Sequence, residues 1–139
     1  MSEKNFSKLF IKHLPKDAHH QRIETGDTGR GIPDINIGYD SREYWVELKV
    51  VKGRQIKLSP EQIAWHFRRT RAGGVTWIIA RDKYEGVRKG KGDVIYAWEG
   101  QHSMTVADKG LNFDAKYKWE GPFNWPEIMW RLFNAPKPA

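Results

Sequence analysis

The sequence contains no cysteine, so it has no disulfide framework, no thiolate zinc site and no cysteine nucleophile. It also lacks long apolar runs, and none comes near the roughly 20 residues that a membrane-spanning helix needs. The N-terminal residues lack the apolar core of a signal peptide. We therefore expect a soluble, cytoplasmic protein without a membrane partner.

Several common catalytic and cofactor-binding motifs are missing as well. The glycines of the loop 26–31 match neither the phosphate-binding loop nor the dinucleotide fingerprint. The five histidines show no metal-ligand spacing, and the serines have no partner pattern typical of a nucleophile. These absences exclude the usual nucleotide sites, zinc enzymes and serine hydrolases.

What the chain does have is enough apolar and aromatic material for one core. It has 139 residues, of which 39% are hydrophobic, and it contains seven Trp, five Tyr and six Phe. A disordered chain would be poorer in these residues, and a domain usually spans about 100–150 residues. We expect a single domain covering residues 1–139.

Positive charge is concentrated in one segment. Residues 52–91 contain eleven Lys and Arg against three acids, a net +8, whereas the remainder of the chain is −1. Such a segment is the usual electrostatic footprint of a protein that binds phosphate backbones, although a solvated surface is the alternative. The candidate DNA contacts are Arg30, Lys52, Arg54, Lys57, Arg68, Arg69, Arg71, Arg88, Lys89 and Lys91.

Periodicity and capping signals predict an α/β fold with a mixed central β-sheet flanked by helices. The predicted helices are one capped by Ser2 and ended by Pro15, one from Ser59 to Ala72 with Ile63 and Phe67 on its core face, and a last one opening at Asn124. The predicted strands are 20–25, 34–38, 43–51, 75–80 and 93–98, with a further hairpin within 100–122.

The hairpin of 34–38 and 43–51 carries the candidate chemistry. If 39–42 form its loop, Ile35 faces Val46 and Asp34 faces Glu47. A slip of one residue would lose the apolar match, so the register that buries the apolar face also brings two carboxylates together. Strand alternation places Lys49, and also Trp45, on the Glu47 face. Trp45 could stack near a substrate or pack beneath a loop.

Two facing carboxylates repel each other unless a proton or a cation lies between them. Mg²⁺ takes oxygen ligands and keeps several waters, so Asp34 and Glu47 together with a substrate phosphate would be sufficient ligands. Lys49 could then orient an attacking water and neutralise charge that develops on phosphate. A surface salt-bridge cluster is the alternative.

The order of these residues resembles the PD-(D/E)XK nuclease superfamily. Gly31-Ile32-Pro33-Asp34 is followed, after twelve residues, by Glu47-Leu48-Lys49. Glu3 lies on the first helix, where the Holliday-junction-resolvase branch carries its first acid. Gln62, in Leu58-Ser59-Pro60-Glu61-Gln62, stands where resolvase-type and VRR-NUC-type members carry a helical Gln. The resemblance covers roughly residues 1–82.

The resemblance implies a restriction-endonuclease-like core and a role for each matching residue. Asp34, Glu47 and the Leu48 carbonyl would bind metal, and Lys49 would position water or stabilise charge. Glu3, which shares a helical face with Phe6 and Phe10 and is expected to point inward, would bind metal through water or a second ion. Glu24 is the rival first acid. Gln62 would orient Lys49 or substrate, or would only complete a capping box with Ser59.

The function that the resemblance implies is a Mg²⁺-dependent endodeoxyribonuclease, with Mn²⁺ as a substitute. The favoured type is a Holliday junction resolvase that acts on branched DNA as a homodimer, in the host cytoplasm if the protein is phage-encoded. Two alternatives stay open. One is a VRR-NUC-type nuclease acting on flaps, nicks or duplex DNA, and the other is a nucleic-acid-binding module without catalysis.

Overall fold

A computed structural model of the chain describes residues 2–24, 30–83 and 92–139. The described ranges contain four α-helices and six strands, with short 3₁₀ turns on both sides of the third helix. None of these helices is long and apolar enough to cross a membrane. In chain order the elements are α1 (Glu3–Lys12), β1 (His19–Arg22), β2 (Ile35–Tyr39), β3 (Arg42–Val50), α2 (Pro60–Arg71), β4 (Val75–Asp82), β5 (Val94–Glu99), α3 (Ser103–Lys109), β6 (Tyr117–Glu120) and α4 (Trp125–Phe133).

The six strands form one sheet in the order β1-β2-β3-β4-β5-β6. Every neighbouring pair is antiparallel except β3 and β4, which are parallel and are joined through α2. A parallel pair needs such a crossover, because a tight turn reverses the direction of the chain and can join only antiparallel strands. The predicted α/β class with a mixed central sheet is confirmed.

Strand alternation gives the sheet two apolar faces. On one face the strands pack against Phe6 and Phe10 of α1 and against Ile128 and Phe133 of α4. On the other face Ile78, Tyr96 and Trp98 form a second cluster with Ile56 and with Val106 of α3. Glu47 is paired with Ile78, and Lys49 with Ala80, so both side chains lie on this second face.

The predicted hairpin register is confirmed, since Ile35 pairs with Val46 and Gly38 with Glu43. The ladder extends one pair beyond the prediction, to Tyr39 and Arg42, so the turn is only Asp40-Ser41. Both turn residues have positive φ, of 50° and 65°. That geometry matches the right-handed twist of the two strands and fixes the register.

Other expectations were wrong. Residues 103–109 form α3 instead of a hairpin strand, and β6 is the one strand that lies between α3 and α4. Phe67 is 53% exposed, whereas its neighbour His66 is fully buried. The face of α2 that lies on the sheet therefore carries a polar residue, which hydrophobic periodicity could not indicate. The strand predicted at 20–25 is His19–Arg22, and Thr25 lies outside the described residues.

Candidate active site

Asp34 and Glu47 meet because of the β2–β3 register. Asp34 immediately precedes β2, and the pair Ile35–Val46 places it beside Glu47. Its Oδ2 accepts a hydrogen bond of 2.8 Å from the backbone N–H of Leu48. Leu48 itself is buried among the apolar residues of the α1 face. The register thus aims one carboxylate at the strand that carries the other.

The loop before Asp34 is pressed against the beginning of α2. Gly31 has a φ of +83°, and a Cβ there would lie 2.3 Å from the carbonyl oxygen of Glu61. Only glycine meets both requirements, of conformation and of space. This contact brings the segment leading to Asp34 next to the first turn of α2, where Gln62 lies.

The Glu47 carboxyl is in an unfavourable environment for a charge. Glu47 is 1% exposed, and its Oε1 has no hydrogen-bond partner among the described residues. Burial, followed by the neighbouring Asp34 carboxylate, raises the pKa of Glu47 to about 9, against the opposing effect of Lys49. Without a cation, Glu47 is therefore protonated at neutral pH.

Lys49 and Gln62 complete the group around Glu47. Lys49 Nζ lies 3.8 Å from Glu47 Oε2 and donates a hydrogen bond of 3.2 Å to Gln62 Oε1. Gln62 Nε2 donates to Glu47 Oε2 at 3.3 Å. The Gln62 amide thus bridges the cation and the acid and fixes the orientation of both side chains.

Gln62 also completes the cap of α2. Its Oε1 accepts the Ser59 N–H at 2.9 Å, and Ser59 Oγ accepts the Gln62 N–H at 3.1 Å. Gln62 thus makes the capping contacts and the contacts with Lys49 and Glu47 at the same time, because its amide oxygen has two acceptor positions and its nitrogen is free to donate.

Glu3, Glu24 and Asp34 all line a cleft of about 190 Å³. Glu3 is one of the groups that raise the pKa of Glu47, although its contribution is the smallest. The side chain of Glu3 is exposed, while Phe6 and Phe10 are buried, so the expectation that Glu3 points inward was wrong. At the first position of α1 the side chain extends past the core into the cleft.

The donor set fits a hard divalent cation. Two adjacent carboxylates, one with an unsatisfied buried oxygen, are the ligands that such an ion takes. Within the described ranges no three His, Asp or Glu side chains cluster closely enough to hold an ion by themselves. An ion at Asp34 and Glu47 would complete its coordination with water, substrate or backbone oxygen.

The sequence reasoning missed His66, which lies one turn beyond Gln62 on α2. It is fully buried, with its Nδ1 2.9 Å from Thr76 Oγ1 of β4. Burial and then the charge of Lys49 lower the pKa of His66 to about 4, so it is neutral. A Cβ at Gly100 would lie 2.9 Å from this Nδ1 and 1.5 Å from Thr76 Oγ1. In the sequence, the signal that could have indicated His66 is its spacing of four residues from Gln62, which places both side chains on the same face of the helix.

The candidate DNA contacts differ in their surroundings. Arg30, Lys52, Lys57, Arg68 and Arg71 are exposed, and the exposed Arg54 donates hydrogen bonds to Asn112 Oδ1. Arg81 belongs to the same basic segment but is buried and paired with Asp93. Arg88, Lys89 and Lys91 lie outside the described residues.

Comparison with known proteins gives a likeness of fold. No family model matches the chain, and no curated protein matches it in sequence. A similar solved structure is that of Hjc, a Holliday junction resolvase from the archaeal hyperthermophile Archaeoglobus fulgidus. The two chains share 14% identity over 68% of this chain and 72% of that one, with a TM-score of 0.42.

Proposed function

We propose that this protein is a metal-dependent DNA endonuclease of the PD-(D/E)XK type, which hydrolyses phosphodiester bonds. The observation that carries the proposal is the state of Glu47. Its carboxyl is buried beside Asp34 with one oxygen unsatisfied, and its other oxygen lies at Lys49 and Gln62. Burying a carboxyl group with an unsatisfied oxygen costs folding free energy unless a cation or substrate binds that oxygen. Such sites are typically functional.

Asp34 and Glu47 would hold the ion, for which Mg²⁺, with Mn²⁺ as a substitute, suits the oxygen donors. The bound ion would polarise a phosphate oxygen and lower the pKa of a bound water. Glu3, or its rival Glu24, lines the adjoining cleft and would bind the metal through water or hold a second ion. The backbone N–H of Leu48 keeps Asp34 directed toward Glu47.

Lys49 would act on the substrate. Its ammonium group is held by Gln62, which leaves further N–H donors for a phosphate oxygen. A fixed positive charge at that position would stabilise the negative charge that builds up on the phosphorane-like transition state. Gln62 would keep Lys49 in place and hold Glu47 in the orientation that leaves Oε1 available.

The substrate class we propose is branched DNA, in particular a four-way junction. The exposed basic residues of the segment 52–71 supply the charge that DNA binding needs. The position of Glu3 at the start of α1, beside Asp34, matches the resolvase branch of the resemblance stated above. Resolving a junction requires two cuts, so the working form would be a symmetric dimer.

The test is a cleavage assay on four substrates side by side: a four-way junction, a flap, a nicked duplex and an intact duplex. Each is offered with Mg²⁺, Mn²⁺, Ca²⁺ or chelator, and Asp34→Asn serves as the matched inactive control. We expect Mg²⁺-dependent cutting of the junction in preference to the others. Preferred cutting of flaps or nicks would favour a VRR-NUC-type activity, and binding without cutting in any metal would overturn the nuclease assignment.

A further inference from the structure

A second group of side chains lies on the Glu47 face of the sheet, nearer the hairpin turn. Trp45 of β3 packs against Trp65 of α2, with ring centroids 5.1 Å apart. The guanidinium carbon of Arg69 lies 4.7 Å from the centroid of Trp65 and 5.3 Å from that of Trp45. Trp45 therefore packs between sheet and helix and carries an arginine on its ring.

The stem of Arg69 is held from the other side by Gly74. A Cβ at Gly74 would lie 2.6 Å from Arg69 Cδ and 2.7 Å from its Cγ. The Gly74 N–H also donates to the Arg69 carbonyl at 2.9 Å. Gly74 is thus more than the stop signal of α2, because its missing side chain provides the space in which Arg69 lies.

The Arg69 side chain is exposed and forms no ion pair with an acid in the described part of the chain. The ion pairs among the described residues involve Lys49, Arg81, Lys116 and Arg131, and none includes Arg69. Arginine stacked on indoles keeps its planar edge free for bidentate hydrogen bonds. Its neighbours Arg68 and Arg71 are exposed at the same helix end, and neither contacts an aromatic ring among the residues that the structure describes.

The position relative to the carboxylates follows from regular geometry. Trp45 and Glu47 lie on one face of β3, two residues apart, which is about 6.6 Å. Arg69 follows Gln62 by seven residues, or two turns, which places it on the same side of α2 and about 10 Å farther along the helix axis. One DNA strand advances about 3.4 Å per nucleotide along a duplex, so 10 Å corresponds to about three nucleotides.

We propose that Arg69 is a preorganised binding residue for a backbone phosphate of the DNA strand that is cut, about three nucleotides from the scissile bond. The proposal rests on the proposed nuclease function and specifies how its substrate is held. Trp45, Trp65 and Gly74 are the residues that position it. A fixed guanidinium loses little side-chain entropy when it binds, so it contributes more per contact than a free surface arginine.

The experiment measures affinity for a four-way junction at several salt concentrations, in Ca²⁺ so that no cutting occurs. The variants are Arg69→Ala, the matched charge control Arg68→Ala, and Gly74→Ala. Gly74→Ala removes no charge but displaces the Arg69 stem. We expect Arg69→Ala to flatten the slope of log affinity against log salt by about one unit and to weaken binding at least tenfold. Arg68 is itself a candidate DNA contact but has no aromatic support among the described residues, so Arg68→Ala should weaken binding clearly less than Arg69→Ala.

Gly74→Ala should also weaken binding, although it leaves the net charge of the protein unchanged, because it displaces the Arg69 side chain. Thermal unfolding of every variant checks that α2 is intact. Equal losses for Arg68→Ala and Arg69→Ala, or an unchanged affinity in Gly74→Ala, would overturn the proposal while leaving the nuclease assignment standing. If the wild-type protein binds none of the DNAs, the proposed function fails, and the role of Arg69 fails with it.

Discussion

The carboxylate of Asp34 accepts the backbone N–H of Leu48, the residue that stands between Glu47 and Lys49. The bond joins the beginning of β2 to the far end of β3, beyond the ladder pairs. It fixes the position of the Asp34 carboxyl through Oδ2. The bond holds the Asp34 carboxyl beside the buried Glu47, so the two side chains are placed to share a cation.

Metal-free protein should become more stable when Glu47 is replaced by Gln. The folded-state pKa of Glu47, about 9, lies above its ordinary value of 4.5. The stabilising effect of its proton is therefore complete below pH 4.5 and is lost as pH rises through 9. We expect Glu47→Gln to raise Tm in chelator by several degrees at pH 8.5 and less at pH 7, measured by calorimetry. A Tm lower than wild type at both pH values would contradict a destabilising buried carboxyl.

Divalent cations should reverse the difference in Tm between Glu47→Gln and the wild type. If Asp34 and Glu47 hold the ion, it would bind their ionised forms in place of the Glu47 proton, so Mg²⁺ or Mn²⁺ should raise the Tm of the wild type more at pH 8.5 than at pH 7. Glu47→Gln and Asp34→Asn should show little response. Equal metal-induced shifts in wild type and both variants would place the ion elsewhere.

Cleavage should be lost in Asp34→Asn and in Glu47→Gln while junction binding stays equal to wild type or becomes tighter. Removing a ligand charge disables the metal site and also reduces repulsion of phosphate. Ca²⁺ should support binding without cutting, because its longer and looser coordination does not align the water. Near-normal turnover in either variant would rule out the two residues as ligands.

Lys49→Ala should reduce the cleavage rate by about 10²–10³ and reduce affinity much less. A positioned charge acts on the transition state more than on the bound substrate. Single-turnover rates and equilibrium binding, measured on the same junction, separate the two effects. Equal losses in rate and affinity would make Lys49 an ordinary phosphate contact.

The two roles of Gln62 can be separated with Ser59. Ser59→Ala removes the side-chain cap of α2 and should cost about 0.5–2 kcal/mol of unfolding free energy while cleavage persists. Gln62→Glu keeps an acceptor for the Ser59 N–H but loses the donor to Glu47. It should therefore retain α2 and lose at least tenfold in rate. If Ser59→Ala and Gln62→Glu lose the same amount of stability and of cleavage rate, Gln62 acts only as a helix cap.

Acid should destabilise the protein through His66. Its folded-state pKa, about 4, lies below the ordinary 6.5, so stability is present above pH 6.5 and is lost as pH falls toward 4. His66→Asn keeps a partner for Thr76 but does not titrate. Unfolding in urea from pH 7 to 4.5 should show a flatter pH dependence for this variant, with the effect of Glu47 common to both proteins. Identical slopes would show that His66 is not buried in its neutral form.

The local elements followed from the sequence because their signals are local. Ser59-Pro60 and Asn124 gave the starts of α2 and α4. Apolar matching across the hairpin gave the Ile35–Val46 register, and with it the meeting of Asp34 and Glu47. The helix at 103–109 was missed because its apolar positions are few and its packing against α2 is a nonlocal contact.

The amino-acid sequence by itself determined which two carboxylates meet, since a one-residue slip would expose the apolar face of the hairpin. Only the tertiary structure decided what surrounds them. The crossover that lays α2 on the sheet sets Gln62 between Lys49 and Glu47, buries His66 against Thr76 and seats Arg69 on Trp45. These contacts join residues of three different elements, and their geometry depends on how helix and sheet pack, which no spacing along the chain encodes.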